Sequence, residues 1–409
     1  MKCNICENKI QKTWEYCPKC GIKIKDSKLT YEGYNIDRVK ERVIAKGGES
    51  FYKNCKAIES LGTLPYTKVK PIRPILGDFV GIHFSNIKVF SLLSLQPGCM
   101  KELCDIFRML GYYSADCGLK TTKLSKIVDV ISRTDLFWRI VSNREVQKAL
   151  TSGWEKTHQA IIKVESVDKK HSRITFKVDE DQTFYLKTSK PLSFMDLNIL
   201  GGNLEAVCNK KCTGKEVVNK GERYFVYQLY GQDEKVEYPI INLDREEYER
   251  VVDKLVDYIV NKKPTNRVRL EDKVHITGEQ SDAYFILKAT EGHRILEKYS
   301  GIKCGKKIAE KAGVKEKENA LTYAQELFKR EKAGILYKPV EREDSITIRM
   351  DESAYSSGVD NINMKLDIFL AGMIEGVLCQ ATGERWHVTE TKCLANGDDY
   401  CEFTCKCLK

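Results

Sequence analysis

The chain carries one pattern twice, and a repeat of that length leaves few folds open to it. Near the end, Leu370-Ala-Gly372-Met-Ile-Glu375-Gly376-Val377-Leu378-Cys379 precedes Glu390, Cys393, Gly397 and Cys401. Upstream, Leu200-Gly-Gly202-Asn-Leu-Glu205-Ala206-Val207-Cys208 precedes Val217, Gly221 and Phe225. Two further pairs keep the same order. Ile174-Thr-Phe-Lys-Val-Asp179-Glu180 matches Ile346-Thr-Ile-Arg-Met-Asp351-Glu352, and Tyr113-Ser114 with Cys117-Gly118 matches Tyr299-Ser300 with Cys304-Gly305. Ordered matches of this kind indicate one supersecondary unit built twice.

Apolar residues alternate in Ile174/Phe176/Val178 and in Ile346/Ile348/Met350, which predicts strands with one buried face. Gly202 with Ala206, and Gly372 with Gly376, put small residues at helical spacing, so each helix is expected to approach a neighbour closely. Tyr248, Val251, Val252, Leu255, Val256 and Ile259 form one apolar stripe between the copies, ended by Lys262-Lys263-Pro264, and predict an amphipathic helix. The fold class expected is α+β. A zinc ribbon over 1–25 and a basic linker over 26–72 lead into a degenerate domain over 73–230. A connecting helix and linker over 231–272 then precede a second domain over 273–409. Helices pack on an antiparallel sheet in each domain, and the two domains form an intrachain pseudo-dimer.

With 409 residues, 42% hydrophobic and 31% charged, the chain is long enough for two or three cores. No apolar run reaches membrane-spanning length, since Leu366–Leu378 is interrupted by Asp367 and Glu375. Sixteen cysteines behind a start that is no signal peptide point to a reducing, cytoplasmic setting and to metal binding rather than disulfides. Residues 1–75 hold 16 Lys or Arg against 8 Asp or Glu, so +8 of the net +10 sits there. Such a segment suits nucleic acid or another acidic partner, or simply a solvated basic face.

Cys3-Asn-Ile-Cys6 and Cys17-Pro-Lys-Cys20-Gly21 present four thiolates on two knuckles, the spacing a tetrahedral zinc requires. Four thiolates leave no open position, so this site is structural, and a piece of this size needs the metal to fold. Ribbons of this kind bind nucleic acid, bind protein or cap a chain.

Residues 275–405 resemble a 4-vinyl-reductase (4VR) domain, whose signature is a Gly-containing helix, Glu-x-x-Cys, then Gly-x-x-x-Cys and an apolar strand. Glu390, Cys393, Gly397 and Cys401 carry that signature, and Arg73-Pro74-Ile-Leu-Gly77-Asp78 resembles the opening of hydrocarbon-binding proteins of the same group. The resemblance implies α+β domains that pair, and a small apolar or aromatic ligand held internally. In aromatic-sensing relatives the Glu-x-x-Cys…Cys group holds zinc, which assigns that role to Glu390, Cys393 and Cys401. Those relatives supply a further Cys where this chain has Asp367, and Cys379 is the rival fourth ligand; His387, Cys405 and Cys407 are weaker candidates. On the resemblance, the first copy places Gly214, Val217 and Phe225 opposite Glu390, Cys393 and Cys401, so it holds no such metal.

A pocket for the ligand is expected between the Leu366–Leu378 helix and the Ile346–Met350 strand, with Gly372, Gly376, Trp386 and His387 facing it. The chain shows no phosphate loop, nucleophile elbow or zinc-protease helix, and its histidines are scattered, so an enzyme is the weaker reading. A cytoplasmic small-molecule-binding or sensory protein is the leading expectation. A nucleic-acid-binding regulator using the ribbon, and an accessory enzyme of tetrapyrrole or hydrocarbon metabolism, are the alternatives.

Overall fold

The alternating segments set the two sheets. A computed structural model describes residues 71–120, 138, 152–238, 240, 243–289, 291–342 and 345–408; the expected ribbon, with Cys3, Cys6, Cys17 and Cys20, lies outside the described residues. In chain order the first elements are β1 (Phe79–Gly81), α1 (Ile82–Leu95), α2 (Met100–Lys120), α3 (Ser152–Lys156), β2 (Ile161–Asp168) and β3 (Arg173–Asp179). Then come α4 (Phe194–Cys208), β4 (Lys211–Asn219), β5 (Glu222–Tyr230) and α5 (Arg245–Asn261). The remainder is β6 (Lys273–His275), α6 (Ile276–Ala289), α7 (Glu291–Lys311), α8 (Lys317–Arg330), β7 (Ile335–Leu336), β8 (Val340–Arg342), β9 (Ser345–Asp351), α9 (Ile368–Thr382), β10 (Arg385–Lys392) and β11 (Cys401–Leu408).

The molecule is a mixture of helices and antiparallel sheets. One sheet runs β2-β3-β5-β4, and the other runs β10-β11-β9-β7, with β8 also on β9. In each, a carboxy-terminal hairpin lies beside the alternating strand, which buries Ile174, Phe176 and Val178 in one case and Ile346, Ile348 and Met350 in the other. α4 packs on α2, and α9 on α7. Both α4 and α9 are buried almost all round, as uniformly apolar helices must be.

α5 buries Tyr248, Val251, Val252, Leu255, Val256 and Ile259, the stripe legible in the sequence. Asp244 caps it by accepting from Glu247 N at 2.8 Å, and Lys262 ends it in the left-handed conformation ahead of Pro264. That helix packs on α1 and α7.

Two arms cross between the sheets. The segment before α1 places Arg73, fully buried, on Lys332 O, and Glu352 accepts from Ile75 N and Leu76 N. The segment before α6 places Arg267 on His158 O, and Glu180 accepts from Arg269 N and Leu270 N. Glu180 and Glu352 both adopt positive φ, 48° and 53°, which turns each carboxylate toward the incoming backbone. β1 and β6 then pair antiparallel, Val80 opposite Val274, and Ile82 N donates to Asp272 O while Ile276 N donates to Asp78 O. No helix among the described residues is long and apolar enough to cross a membrane.

Candidate metal centre

Asp367 sits at the amino end of α9, fully buried, where Ser353 Oγ and Ser356 Oγ, from the turn after β9, donate to its two oxygens, the latter at 2.9 Å. β10 brings Glu390, whose Oε2 accepts from Asp367 N at 3.1 Å. The irregular start of the hairpin loop brings Cys393, and β11 opens on Cys401. Cys393 Sγ lies 3.9 Å from Asp367 Oδ2, and Cys401 Sγ lies 3.1 Å from Ser356 Oγ. One ligand atom each from Asp367, Cys393 and Cys401 falls within 4.8 Å of the others.

The electrostatics favour a cation. Burial raises Asp367 against the hydrogen bonds of Ser353, Cys401, Ser356 and Cys393. Burial, with Cys393 and Asp367 nearby, holds Glu390 well above the ordinary carboxylate value, and burial also drives Cys393 upward. At Cys401 the hydrogen bond from Cys393 pulls down, yet burial still leaves the thiol raised. Glu390 Oε1 is a buried acceptor with no hydrogen-bond partner, a costly state unless something positive meets it. Two thiols and two carboxylates converging without a positive side chain are a donor set that zinc accepts.

Other expected residues fall elsewhere. Cys379 is in the last turn of α9, about 18 Å along the axis from Asp367, and bonds Trp386, whose N reaches its Sγ at 3.4 Å. It is therefore no fourth ligand of this cluster. Trp386 is itself buried, its Nε1 donating to Thr382 Oγ1, so it ties the helix end to β10 rather than facing a cavity. His387 points outward, its Nδ1 3.7 Å from Glu375 Oε2. Cys405 is buried in the core and Cys407 meets Glu384, both away from the cluster.

The glycine pocket is also corrected. A Cβ on Gly372 would lie 2.3 Å from Lys298 O, and one on Gly376 would lie 2.2 Å from Ile302 O. The backbone of α7 fills the space that the missing side chains leave, so these glycines serve close helix packing. The apolar residues of α9 and β9 around them are closed core.

The other sheet has a corner of the same build, which the strand ladders reveal. Phe403, the partner of Ile348, stands opposite Glu390; Phe225, the partner of Phe176, stands opposite Glu216. Cys401 pairs with Met350, and Arg223 pairs with Val178. Glu216 and Arg223, not Gly214 and Phe225, thus occupy the places of Glu390 and Cys401. Ser193 stands at the start of α4 as Asp367 does at α9. Arg223 extends across this corner, with Nε 2.7 Å from Glu216 Oε1 and Nη1 2.5 Å from buried Asp181, and a further hydrogen bond to Ser193 Oγ. A guanidinium fills it.

Comparison with known proteins reaches the same residues. Residues 346–406 match the vinyl-4-reductase (4VR) domain. That span contains Asp367, Glu390, Cys393 and Cys401, and it begins on β9. The chain is also similar to the uncharacterized protein MJ0150 of Methanocaldococcus jannaschii, 28% identical over 167 residues that cover 41% of this chain and 94% of that protein. Sequence reasoning found the four clustered donors and missed Ser353, Ser356 and the Arg223 corner. A Ser-x-x-Ser following the Asp351-Glu352 turn was the available signal for the first two.

Proposed function

We propose that this protein binds a small molecule with an apolar or aromatic body, and that it is an intrachain pair of 4VR-like units, the second closed by zinc. The 4VR domain supports small-molecule binding or sensing in general. The paired architecture is supported by the reciprocal arms, in which Glu352 receives the first arm and Glu180 the second. It is supported also by MJ0150, nearly all of which fits within 167 residues of this chain. The observation that carries the zinc is the contrast between corners: one encloses Arg223, the other leaves Glu390 Oε1 unpartnered beside Asp367, Cys393 and Cys401. Zinc there would pin the terminal hairpin to α9, and a second zinc would sit in the ribbon of Cys3, Cys6, Cys17 and Cys20.

A ligand site fits the seam between the units better than α9. A cavity of about 30 Å³ opens there, walled by Phe107, Leu110 and Met195 and by Ser85, Gln182 and Glu279. It holds about one or two waters as it stands. An apolar ligand would displace Met195 and Phe107 to reach the polar groups, the mix of walls that small-molecule sites use.

Native mass spectrometry of the full chain, with metal analysis, tests this reading. The corner predicts that Glu390→Gln combined with Cys401→Ser removes one zinc per chain, while Cys17→Ser with Cys20→Ser removes another. Unchanged zinc in a folded corner variant would sink the metal assignment. The ligand assignment fails separately if a panel of aromatic probes binds wild type and Met195→Trp alike.

A further inference from the structure

The seam between the two units holds more buried acid than its cations balance. α2 contributes Glu102, α6 contributes Glu279 and Asp282, and α7 contributes Glu297, all nearly inaccessible to solvent. The cations that face them are Lys88 and His293. Lys88 is taken up by Asp282 at 2.9 Å and Glu279 at 3.7 Å. That leaves Glu102 and Glu297 around a single imidazole. An uncompensated carboxylate in such a place is expensive.

Geometry shows what would offset it. The short turn Pro97–Cys99 delivers Cys99 to the start of α2, and Glu102 follows in the first turn. His293 stands in the first turn of α7, from the other unit, with Nε2 2.8 Å from Glu102 Oε2. One ligand atom each from Cys99, Glu102 and His293 lies within 4.8 Å of the others, and all three residues are buried. Glu297 lies one helical turn beyond His293 on the same face, and its Oε1 is a buried acceptor with no hydrogen-bond partner.

We infer that Cys99, Glu102 and His293 form a second, buried metal site that staples α2 of one unit to α7 of the other, with Glu297 as the nearest further oxygen. A thiolate, an imidazole and a carboxylate are ligands that zinc or a similarly borderline-soft divalent ion takes, with donors about 3–4 Å apart around a tetrahedral ion. The ion would replace the proton that the trio otherwise holds. In its absence burial pulls His293 down, but Cys99 and Glu102 outweigh it and raise it to about 10. The competing arrangement is thus a protonated ion pair, and metal content distinguishes the two.

The test uses the full chain purified without chelator, with zinc measured by elemental analysis per folded molecule. Cys99→Ser and His293→Gln should each lower zinc by one equivalent, and their combination should lower it no further. This loss is independent of the corner at Asp367: it should persist in a Glu390→Gln, Cys401→Ser background. Folded variants with the zinc content of their parent would overturn the site and leave a buried ion pair. Should the variants fail to fold, wild-type crystals measured at the zinc edge decide. An anomalous peak between Cys99 Sγ and His293 Nε2 supports the site, and flat density there overturns it even when a peak stands beside Asp367.

Discussion

The corner at Arg223 and the corner at Asp367 solve one problem with different cations. Each places an acid on the inner hairpin strand, Glu216 or Glu390, beside the amino end of a buried helix. In the first, the fold supplies the positive charge covalently, and Arg223 reaches Asp181, Glu216 and Ser193 at once. In the second, Cys401 stands at the ladder position of Arg223 and no basic side chain enters. A site that carries its own cation is closed whatever the surroundings; a site that lacks one depends on what the cell provides. The difference makes the first unit a fixed scaffold and the second a conditional one.

Metal removal is the harshest way to break the comparison. Stripping zinc from the second corner is expected to cost about 4 kcal/mol or more where free zinc stood a thousandfold above its dissociation constant. Amide exchange should quicken across Arg385–Leu408 and stay unchanged across Lys211–Tyr230. Equal quickening in both hairpins would erase the distinction.

Arg223→Met attacks the other side. It leaves Asp181 and Glu216 facing each other in a buried corner, and loss of one partner from such a group costs about 3 kcal/mol. Urea unfolding should show that loss with or without chelator. A loss that appears only in chelator would mean that the first corner, too, depends on metal.

The two packing interfaces should respond alike, which sharpens the contrast by showing where the units do not differ. Gly202 would put a Cβ 1.8 Å from Arg108 O, as Gly376 would put one 2.2 Å from Ile302 O. Alanine at either position should cost about 2 kcal/mol by overpacking, measured by thermal melting. A tolerated Gly376→Ala would return space, and with it a pocket, to α9.

These contacts also show what the sequence concealed. Alternation revealed the strands at Ile174 and Ile346, and the stripe from Tyr248 to Ile259 marked the buried face of α5. The donors Asp367, Glu390, Cys393 and Cys401 were legible because their spacing belongs to one local signature. Alignment of the two copies slipped by one structural period in two places. Gly202 takes the place of Gly376 rather than Gly372, four residues away, and Glu216 that of Glu390 rather than Gly214, two residues away. A shift of about one helical turn, or of two strand residues, returns the same face to the core, so the apolar pattern is blind to it. That slip hid Arg223. Cys99 and His293 were hidden differently: they meet only because the two units dock, and no spacing along the chain records the contact.

The smallest effect is a matter of pH, and its sign separates the corners. Asp367 and Glu390 titrate above their ordinary values because burial penalises their charge. Without metal, the folded chain keeps protons that the unfolded chain releases above about pH 4. The folded state therefore binds more protons in that window, and stability falls as pH rises from about 4 toward neutrality. Arg223 is raised, burial notwithstanding, by Asp181 and Glu216, and it stays charged throughout, so its corner adds no such slope. Zinc reverses the sign at the second corner. It needs the carboxylates and thiolates deprotonated, so the stability it adds should grow with pH. Urea titrations of metal-free and zinc-loaded protein between pH 5 and 8 should diverge as pH rises, and Glu390→Gln should flatten the metal-free slope. Parallel curves, or a metal-free slope untouched by Glu390→Gln, would show that this carboxyl is not the proton holder that its burial requires.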